Sequence, residues 1–444
     1  METSGILRLN DPNAAENPAY GAHDPGMMWD HRTRRYYSYS TDSYAPKAGL
    51  GKKPGIPVRV SRDLVHFTYE GTVLSPAAVR EGRDNGDYPP TKGFWAPYGE
   101  YVEGEYRLYY SATRDFGSSE SRIWLAVSKD PMGPFDIGGV AVDWGVPDDS
   151  LPNAIDPHVL HTPQGQSFLV YGSFFGGIYM KELCPATGMP LNPDPHFLGQ
   201  CTAHKMPPPA LDGPEGPAAV YCPETGWYYL FLSYGWLGDG YDIRAGRSRD
   251  PLGPYLDYEG KRLLGESLGL KLANSYIFRA KAPHAKAGGG WSWGGLRGPG
   301  HGVPFRDPVT GRWFFVHHIR DGNPKDRRYD PVCDRHSYRH HYLMVRPMFF
   351  VDGWPVLGPE PFQGESLEAL DPPDGAMWEV IVLDGRDNRM KTSGNIRLPA
   401  EGHLLRHSVC YRCADFENGG ETLAFTGIDE YGQACWGKLA ERPN

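Results

Sequence analysis

A chain of 444 residues, 40% of them hydrophobic, is long enough for one large domain plus a small one and can bury a full core. Its 45 basic against 54 acidic residues leave a net charge of -9, which argues against nucleic acid or an anionic membrane surface as a partner. No apolar run of about 18 residues stands in it, so no membrane-spanning helix is expected, and the start "METSGILRLN" lacks the basic lead and apolar core of a secretory signal.

Aromatic residues reach 13%, with 56 Gly and 42 Pro, and long helical periodicities are few, so the composition leans to β structure. Taken in chain order, five stretches share one plan: "DPGMMWDHRTRRYYSYSTD" from Asp24, "WAPYGEYVEGEYRLYYSAT" from Trp95, "DPHVLHTPQGQSFLVYGSF" from Asp156, "EGPAAVYCPETGWYYLFLS" from Glu215 and "HGVPFRDPVTGRWFFVHHI" from His301. Each opens near a Gly or Pro, runs through a short apolar strand, turns at polar residues and Gly, and returns as an aromatic-rich strand, which is a β-hairpin. Most hairpins are followed by a further strand with a turn and a tail, as in "RIWLAVSKDPMGPFDIGG" and "YDIRAGRSRDPLGPYLDYEG". That makes four strands per unit, with units beginning about 60 to 85 residues apart. The pattern predicts an all-β fold, a five-bladed β-propeller over residues 1–360 with the first strand of each blade nearest the axis. A β-sandwich with coincidental hairpins is the alternative.

Beyond residue 360 a linker-like stretch leads into "MWEVIVLDG", "NIRLPAEGHLLRHSVCYRC" and "ETLAFTGIDEYGQACWGKLA". They read as short strands of a small C-terminal β-domain, sandwich or barrel-like, over 361–444. "CYRC" has metal-site spacing but no second CxxC pair, so ordinary strand cysteines are expected. The seven cysteines are an odd number, scattered at 184, 201, 222, 333, 410, 413 and 435. They do not resemble a disulfide framework and fit a reducing, cytoplasmic location; a secreted protein with its signal removed is the alternative.

In a propeller the innermost strands all start at one end of the channel, so Asp24, Asp156 and Glu215, opening units one, three and four, should converge there. Three carboxylates in one pocket repel each other and raise at least one pKa. A protonated carboxyl beside an ionised one is what hydrolysis of a glycosidic bond requires, and Glu215, with the longer reach and the higher intrinsic pKa, is the better acid. The plainer alternative is that these residues only open strands as turn formers.

Through "HDPGMMW", "FWAP", "LYYSATRDFGSSESRIWLAVS", "NAIDPHVL", "YGSFFGGIYM", "EGPAAVY", "YYLFLSYG", "YDIRAGRSRDPLGPYLDYEG" and "GPGH" the chain resembles glycoside hydrolase family 43, and within it the endo-α-1,5-L-arabinanases, over most of residues 20–320. The C-terminal region looks like the accessory β-domain of the longer arabinanases. The resemblance implies cleavage of α-1,5-L-arabinofuranosidic bonds in arabinan or arabino-oligosaccharides with inversion. Asp24 is then the general base, Glu215 the general acid and Asp156 the group that tunes and orients the acid, with base and acid about 6.5–9.5 Å apart. It also implies that His301 helps hold a metal ion, usually calcium, through water, the hydrated form suiting a cation that prefers oxygen; a histidine hydrogen-bonded across the channel is the alternative. Trp95, and Phe116 and Phe174 in nearby loops, offer flat faces to a sugar. Aromatics at strand ends are more often core, and only Trp95 is favoured as a platform.

The chain departs from the arabinanase pattern at "GWLGDGYDIR", where many members carry a double-cysteine loop, and at the inserted "KMPPPALDGP". "AKAGGGWSWGGLR", before "GPGH", is read as a solvent loop or a flap. These loops leave open an exo-acting α-L-arabinofuranosidase or β-xylosidase of the same family, and a non-catalytic carbohydrate-binding propeller. The sequence does not fix the oligomeric state.

Overall fold

The computed structural model describes residues 19, 21–42, 54–83, 93–114, 120–144, 150–206, 212–235, 238–278, 295–321, 329–330, 335–336, 341–417 and 420–441. Nearly every repeated element there is a strand; the described helices are two short ones, Pro76–Arg83 and His403–Arg406.

Each repeated phrase forms one antiparallel sheet with its strands in chain order. Sheet I joins Met28–Asp30, Arg35–Tyr39, Pro57–Ser61 and Phe67–Thr72, and sheet II joins Gly93–Val102, Glu105–Thr113, Ser121–Ser128 and Asp136–Trp144. Sheet III is His158–His161, Ser167–Tyr171, Ile178–Leu183 and Gln200–Ala203; sheet IV is Glu215–Cys222, Trp227–Tyr234, Asp242–Ser248 and Leu270–Ala273. Sheet V repeats the plan in Leu296–Arg306, Trp313–Asp321, Tyr342–Val351 and Trp354–Leu357, and adds Tyr276–Ile277 and Lys391–Thr392 beyond its first strand. Sheet VI runs Gly394–Leu398, Ala376–Val382, Ala434–Glu441, Glu421–Ile428, Ser408–Ala414 across its width.

Local side-chain chemistry makes the turns. Asp30 accepts the backbone N–H groups of Arg32 and Thr33 at 3.2 and 2.9 Å, and Asp307 accepts those of Val309 and Thr310, each at 3.0 Å, so both hairpins close on an Asp that mimics a backbone acceptor. After the third strand of three sheets the phrase Ser-x-Asp does the same. Ser61, Ser128 and Ser248 accept the N–H of Asp63, Asp130 and Asp250, and these Asp residues accept from Val65, Met132 and Leu252.

Because side chains alternate across a strand, the second strands feed two different cores. In sheet II, Leu108 and Tyr110 pack with Tyr37, Val58 and Val60 of sheet I, whereas Tyr109 packs with Val159, Leu169 and Tyr171 of sheet III. Sheets III and IV meet through Phe168, Val170, Tyr228, Leu230 and Leu232. Sheets IV and V meet through Phe231, Ile243, Phe315 and Val316. Sheet V returns to sheet I: the Tyr36 hydroxyl donates to Asp307 Oδ1 at 2.9 Å, as the Tyr106 hydroxyl of sheet II does to Asp30 Oδ1 of sheet I at 2.9 Å.

One face of sheet VI, with Trp378, Phe425 and Cys410, forms its own core. The other face, with Tyr411, Cys413 and Trp436, joins the cluster of sheets IV and V. Cys410 and Cys413 therefore point to opposite sides of one strand, and the six cysteines of the described residues are free.

Candidate active site

Five backbone positions in or just before the first strands of sheets I to V define the site. Asp24, Ala96, Asp156, Gly216 and His301 all adopt left-handed φ, between 45° and 61°, a conformation that costs a residue with a Cβ on the order of 1 kcal/mol. Four of the five also hand their N–H to the preceding sheet's second strand or to the second residue past it. Ala96 donates to Thr41 Oγ1 at 2.8 Å, Asp156 to Ser111 Oγ at 3.0 Å, His301 to Ser233 Oγ at 2.9 Å and Asp24 to His318 Nδ1 at 3.2 Å. Between sheets III and IV the pattern breaks. Gly216 donates to Asp156 Oδ2 at 2.9 Å, and Ser173, which stands where the other hydroxyls do, donates instead to Glu215 Oε2 at 3.3 Å.

That step corrects one element of the sequence register. Trp95 and Glu215 precede the left-handed position rather than occupy it. They pair across the ladder with Ser111 and Ser233, as Gly300 pairs with His318, so they stand level with His23 and Gly300, and the irregularity that follows each of them resets the count by one.

Asp24, Asp156, Glu215 and His301 are brought together and are all buried. Asp24 Oδ2 lies 2.6 Å from His23 Nδ1 and accepts the Thr41 hydroxyl at 2.7 Å; Asp24 Oδ1 lies 3.4 Å from His301 Nδ1 and 3.5 Å from His318 Nδ1. Burial pushes this carboxyl up, but the histidines around it prevail and hold it well below the ordinary range. Asp156 has no such escort. Burial, then the neighbouring charges of Glu215 and Asp24, push it well above its ordinary value.

Burial drives Glu215 up to about 7 against the pull of hydrogen bonds from Tyr241 and Ser173, and Glu215 Oε1 is left without a hydrogen-bond partner. The site thus contains one carboxylate that stays ionised and a carboxyl pair that retains a proton near neutrality, the pair titrating as a unit. Burial lowers the His301 pKa, and its Nδ1, 3.9 Å from Asp156 Oδ2 as well as close to Asp24, faces oxygen ligands that a hard cation accepts.

Trp95 is half-buried on the strand that enters beside Ala96. Phe174, in left-handed conformation, donates its N–H to the carbonyl of Pro214, next to Glu215, at 2.8 Å, and its ring lies edge-on to that of Phe175. Phe116 lies outside the described residues, as do most of the two loops around residues 210 and 285. Sequence reasoning missed His23, Thr41, Tyr241, His318 and His341. His23 and Thr41 had a signal, one being the neighbour of Asp24 and the other the first of the recurring Ser/Thr residues at the end of the aromatic strand.

The model of the glycosyl hydrolases family 43 matches residues 16–355. An extracellular endo-α-(1→5)-L-arabinanase of Thermotoga petrophila is 31% identical over 385 residues, covering 79% of this chain and 76% of its own. Extracellular endo-α-(1→5)-L-arabinanase 2 of Bacillus subtilis is 29% identical over 415 residues, covering 86% and 81%. The crystal structure of an endo-1,5-α-L-arabinanase from Thermotoga petrophila superposes with a TM-score of 0.74 at 27% identity over 95% of this chain and 98% of that one. Both relatives are named extracellular, which does not support the cytoplasmic location expected from the cysteines and fits the secreted alternative. Among the described residues no helix is long and apolar enough to cross a membrane. With a family match over three quarters of its length and an acid–base cluster at the strand entries, the chain belongs to glycoside hydrolase family 43 and is a glycoside hydrolase.

Proposed function

We propose that this enzyme cleaves α-1,5-L-arabinofuranosidic bonds in arabinan or arabino-oligosaccharides by single inversion. The observation that carries the mechanism is the opposed protonation of two carboxyls in one cluster: Asp24 held ionised, Glu215 pushed up to about 7. Asp24 takes a proton from a water as its oxygen attacks the anomeric carbon, while Glu215 gives its proton to the departing glycosidic oxygen. One C–O bond forms and one breaks. Asp156, anchored by the Gly216 N–H, shares the proton of the acid pair, while burial and then the charge of Asp24 keep Glu215 in its protonated range. The substrate class rests on the names of the relatives, and Trp95 is the platform for a sugar ring beside the acids.

The architecture in this reading is a five-bladed propeller over 1–360, sheets I to V being the blades, with sheet VI the centre of a C-terminal domain over 361–444. The hydrogen bonds that each sheet's entry hands back to the sheet before it, from the Ala96 N–H to Thr41 and, closing the round, from the Asp24 N–H to His318, support it. A calcium ion held through water at His301, near the Asp24 and Asp156 oxygens, would supply positive charge that favours the ionised base. A location outside the cell fits polymeric arabinan as substrate.

Linear arabinan, arabino-oligosaccharides and xylan, each incubated with the wild type and with Glu215→Ala, test the reading by product profile over time. A spread of arabino-oligosaccharides, lost in the variant, is expected. Arabinose alone from the first minutes would make the enzyme exo-acting, and products that persist in the variant would remove Glu215 from its role.

A further inference from the structure

Three histidines that the proposed reaction does not use as acid or base meet beside Asp24. His23, His318 and His341 each place a ring nitrogen within 4.8 Å of the other two. The ring centroids are 4.6 Å apart for His23 and His318, 4.4 Å for His23 and His341, and 4.3 Å for His318 and His341. They arrive from separate segments: the entry to sheet I, the second strand of sheet V, and the residue before its third strand. Tyr241 stacks on His318 from outside the trio, with centroids 5.7 Å apart.

Three ring nitrogens of the trio lack partners among the described residues. His318 and His341 are 0% and 1% exposed, and His318 Nε2 and both ring nitrogens of His341 make no hydrogen bond among the described residues. A buried polar atom left this way costs on the order of 1–3 kcal/mol, so an arrangement with three of them calls for a guest. Convergent imidazoles suit a borderline divalent metal such as zinc, whereas calcium and magnesium take oxygen.

We propose that His23, His318 and His341 bind a zinc-like divalent transition-metal ion through three imidazole nitrogens, leaving a fourth position for water. The outward nitrogens fit this role. His23 Nδ1 is 2.6 Å from Asp24 Oδ2 and His318 Nδ1 is 3.5 Å from Asp24 Oδ1, so with metal on each Nε2 both rings present Nδ1–H to one carboxylate, the usual support of a ligating histidine. For His318 this exchanges a 3.2 Å acceptor contact with the Asp24 N–H for donation to the carboxylate. Tetrahedral zinc with Zn–N bonds of about 2.0–2.1 Å brings the nitrogens to about 3.4 Å from one another, and because a metal lies in the plane of each ligating ring, the stacked His23 and His318 rings have to turn out of parallel to share it. His301 is not part of this set, its Nδ1 facing the oxygens of Asp24 and Asp156.

Dialysis of the full chain against chelator, followed by titration with zinc, with calcium as control, and by cobalt(II) absorption, tests the site without reference to turnover. One zinc per chain and a tetrahedral cobalt spectrum that zinc displaces are expected, with zinc affinity falling tenfold or more in His341→Gln and unchanged in His301→Gln. Wild-type protein that takes up no zinc, so that waters alone fill the trio, overturns the proposal. So does zinc uptake that His341→Gln leaves undiminished. The cobalt spectrum of the wild type decides the matter should the variant fail to fold.

Discussion

A Cβ added at Gly300 would stand 1.7 Å from Cε1 of Tyr241, and Tyr241 is the residue whose hydroxyl faces Glu215 and whose ring lies on His318. Gly300 is thus what lets a tyrosine reach the acid. The hydrogen bond from Tyr241 pulls the Glu215 pKa down towards about 7, and removing it should let burial raise that pKa further. For the wild type, kcat/KM should be flat on the acid side, where Asp24 remains ionised, and should fall through pH 7 as Glu215 loses its proton. Tyr241→Phe should move that alkaline limb upward, and Gly300→Ala, which has to displace the ring, should do the same with lower turnover. A pH profile of the three proteins checks this; an alkaline limb that stays in place in Tyr241→Phe would show that the hydroxyl does not act on the acid.

At the scale of elements, the hairpins were legible because their causes are local: Asp30 and Asp307 close their own turns, and the aromatic strands follow within a few residues. The trio of acids was legible for the same reason, since each opens a recurring phrase. The one-residue step at Trp95 and Glu215 was not. Alanine has no preference for left-handed φ, so nothing in "FWAP" announces that Ala96, not Trp95, holds the position of Asp24. His318 and His341 stayed hidden because their partners lie some three hundred residues away along the chain. Sheet VI shows a similar dependence on distant contacts. The Lys438 ammonium, 0% exposed, meets Glu360 Oε1 and Asp415 Oδ1, each at 2.8 Å, and Glu417. Glu360 follows Trp354–Leu357 of sheet V and the others belong to sheet VI and the loop after Ser408–Ala414, so this ion cluster ties the two sheets together. Lys438→Met would strand the carboxylates in a buried site, which typically costs about 3–5 kcal/mol. Urea unfolding should show a loss of that order, and a loss below about 1 kcal/mol would mean that the carboxyls simply take up protons.

Across the whole molecule, the same charge crowding that readies Glu215 for catalysis sets how stability responds to pH. Asp156, Glu215 and Glu417 have pKa values raised in the folded state, Glu215 to about 7 and Glu417 to about 8, the first cause in each being burial. Above the unfolded values near 4 the unfolded chain releases these protons while the folded chain keeps them. The folded state therefore binds more protons in that window, and linkage makes stability fall as pH rises through 7 and 8. Asp24, Asp30 and Asp63 act in the opposite sense: their lowered values contribute stability that is present above the unfolded value and is lost as pH falls below it. The Lys438 pKa is raised, so its contribution is lost only in strong base. Burial also lowers the pKa values of His158 and His318 to about 3 and those of His301, His317 and His341 below the ordinary range, so below about pH 6.5 the unfolded chain binds protons that the folded chain refuses, and stability falls on that side as well. Calorimetry in chelator-containing buffer should give a higher Tm at pH 6.5 than at pH 8, the window in which the raised carboxyls lose their protons and the histidines are neutral in both states. Glu215→Gln, which no longer has a proton to lose, should narrow that gap by raising the pH 8 value. A Tm that climbs from pH 6.5 to pH 8 in the wild type would mean that the cluster is ionised in the resting enzyme, and the acid would then have to gain its proton on binding substrate.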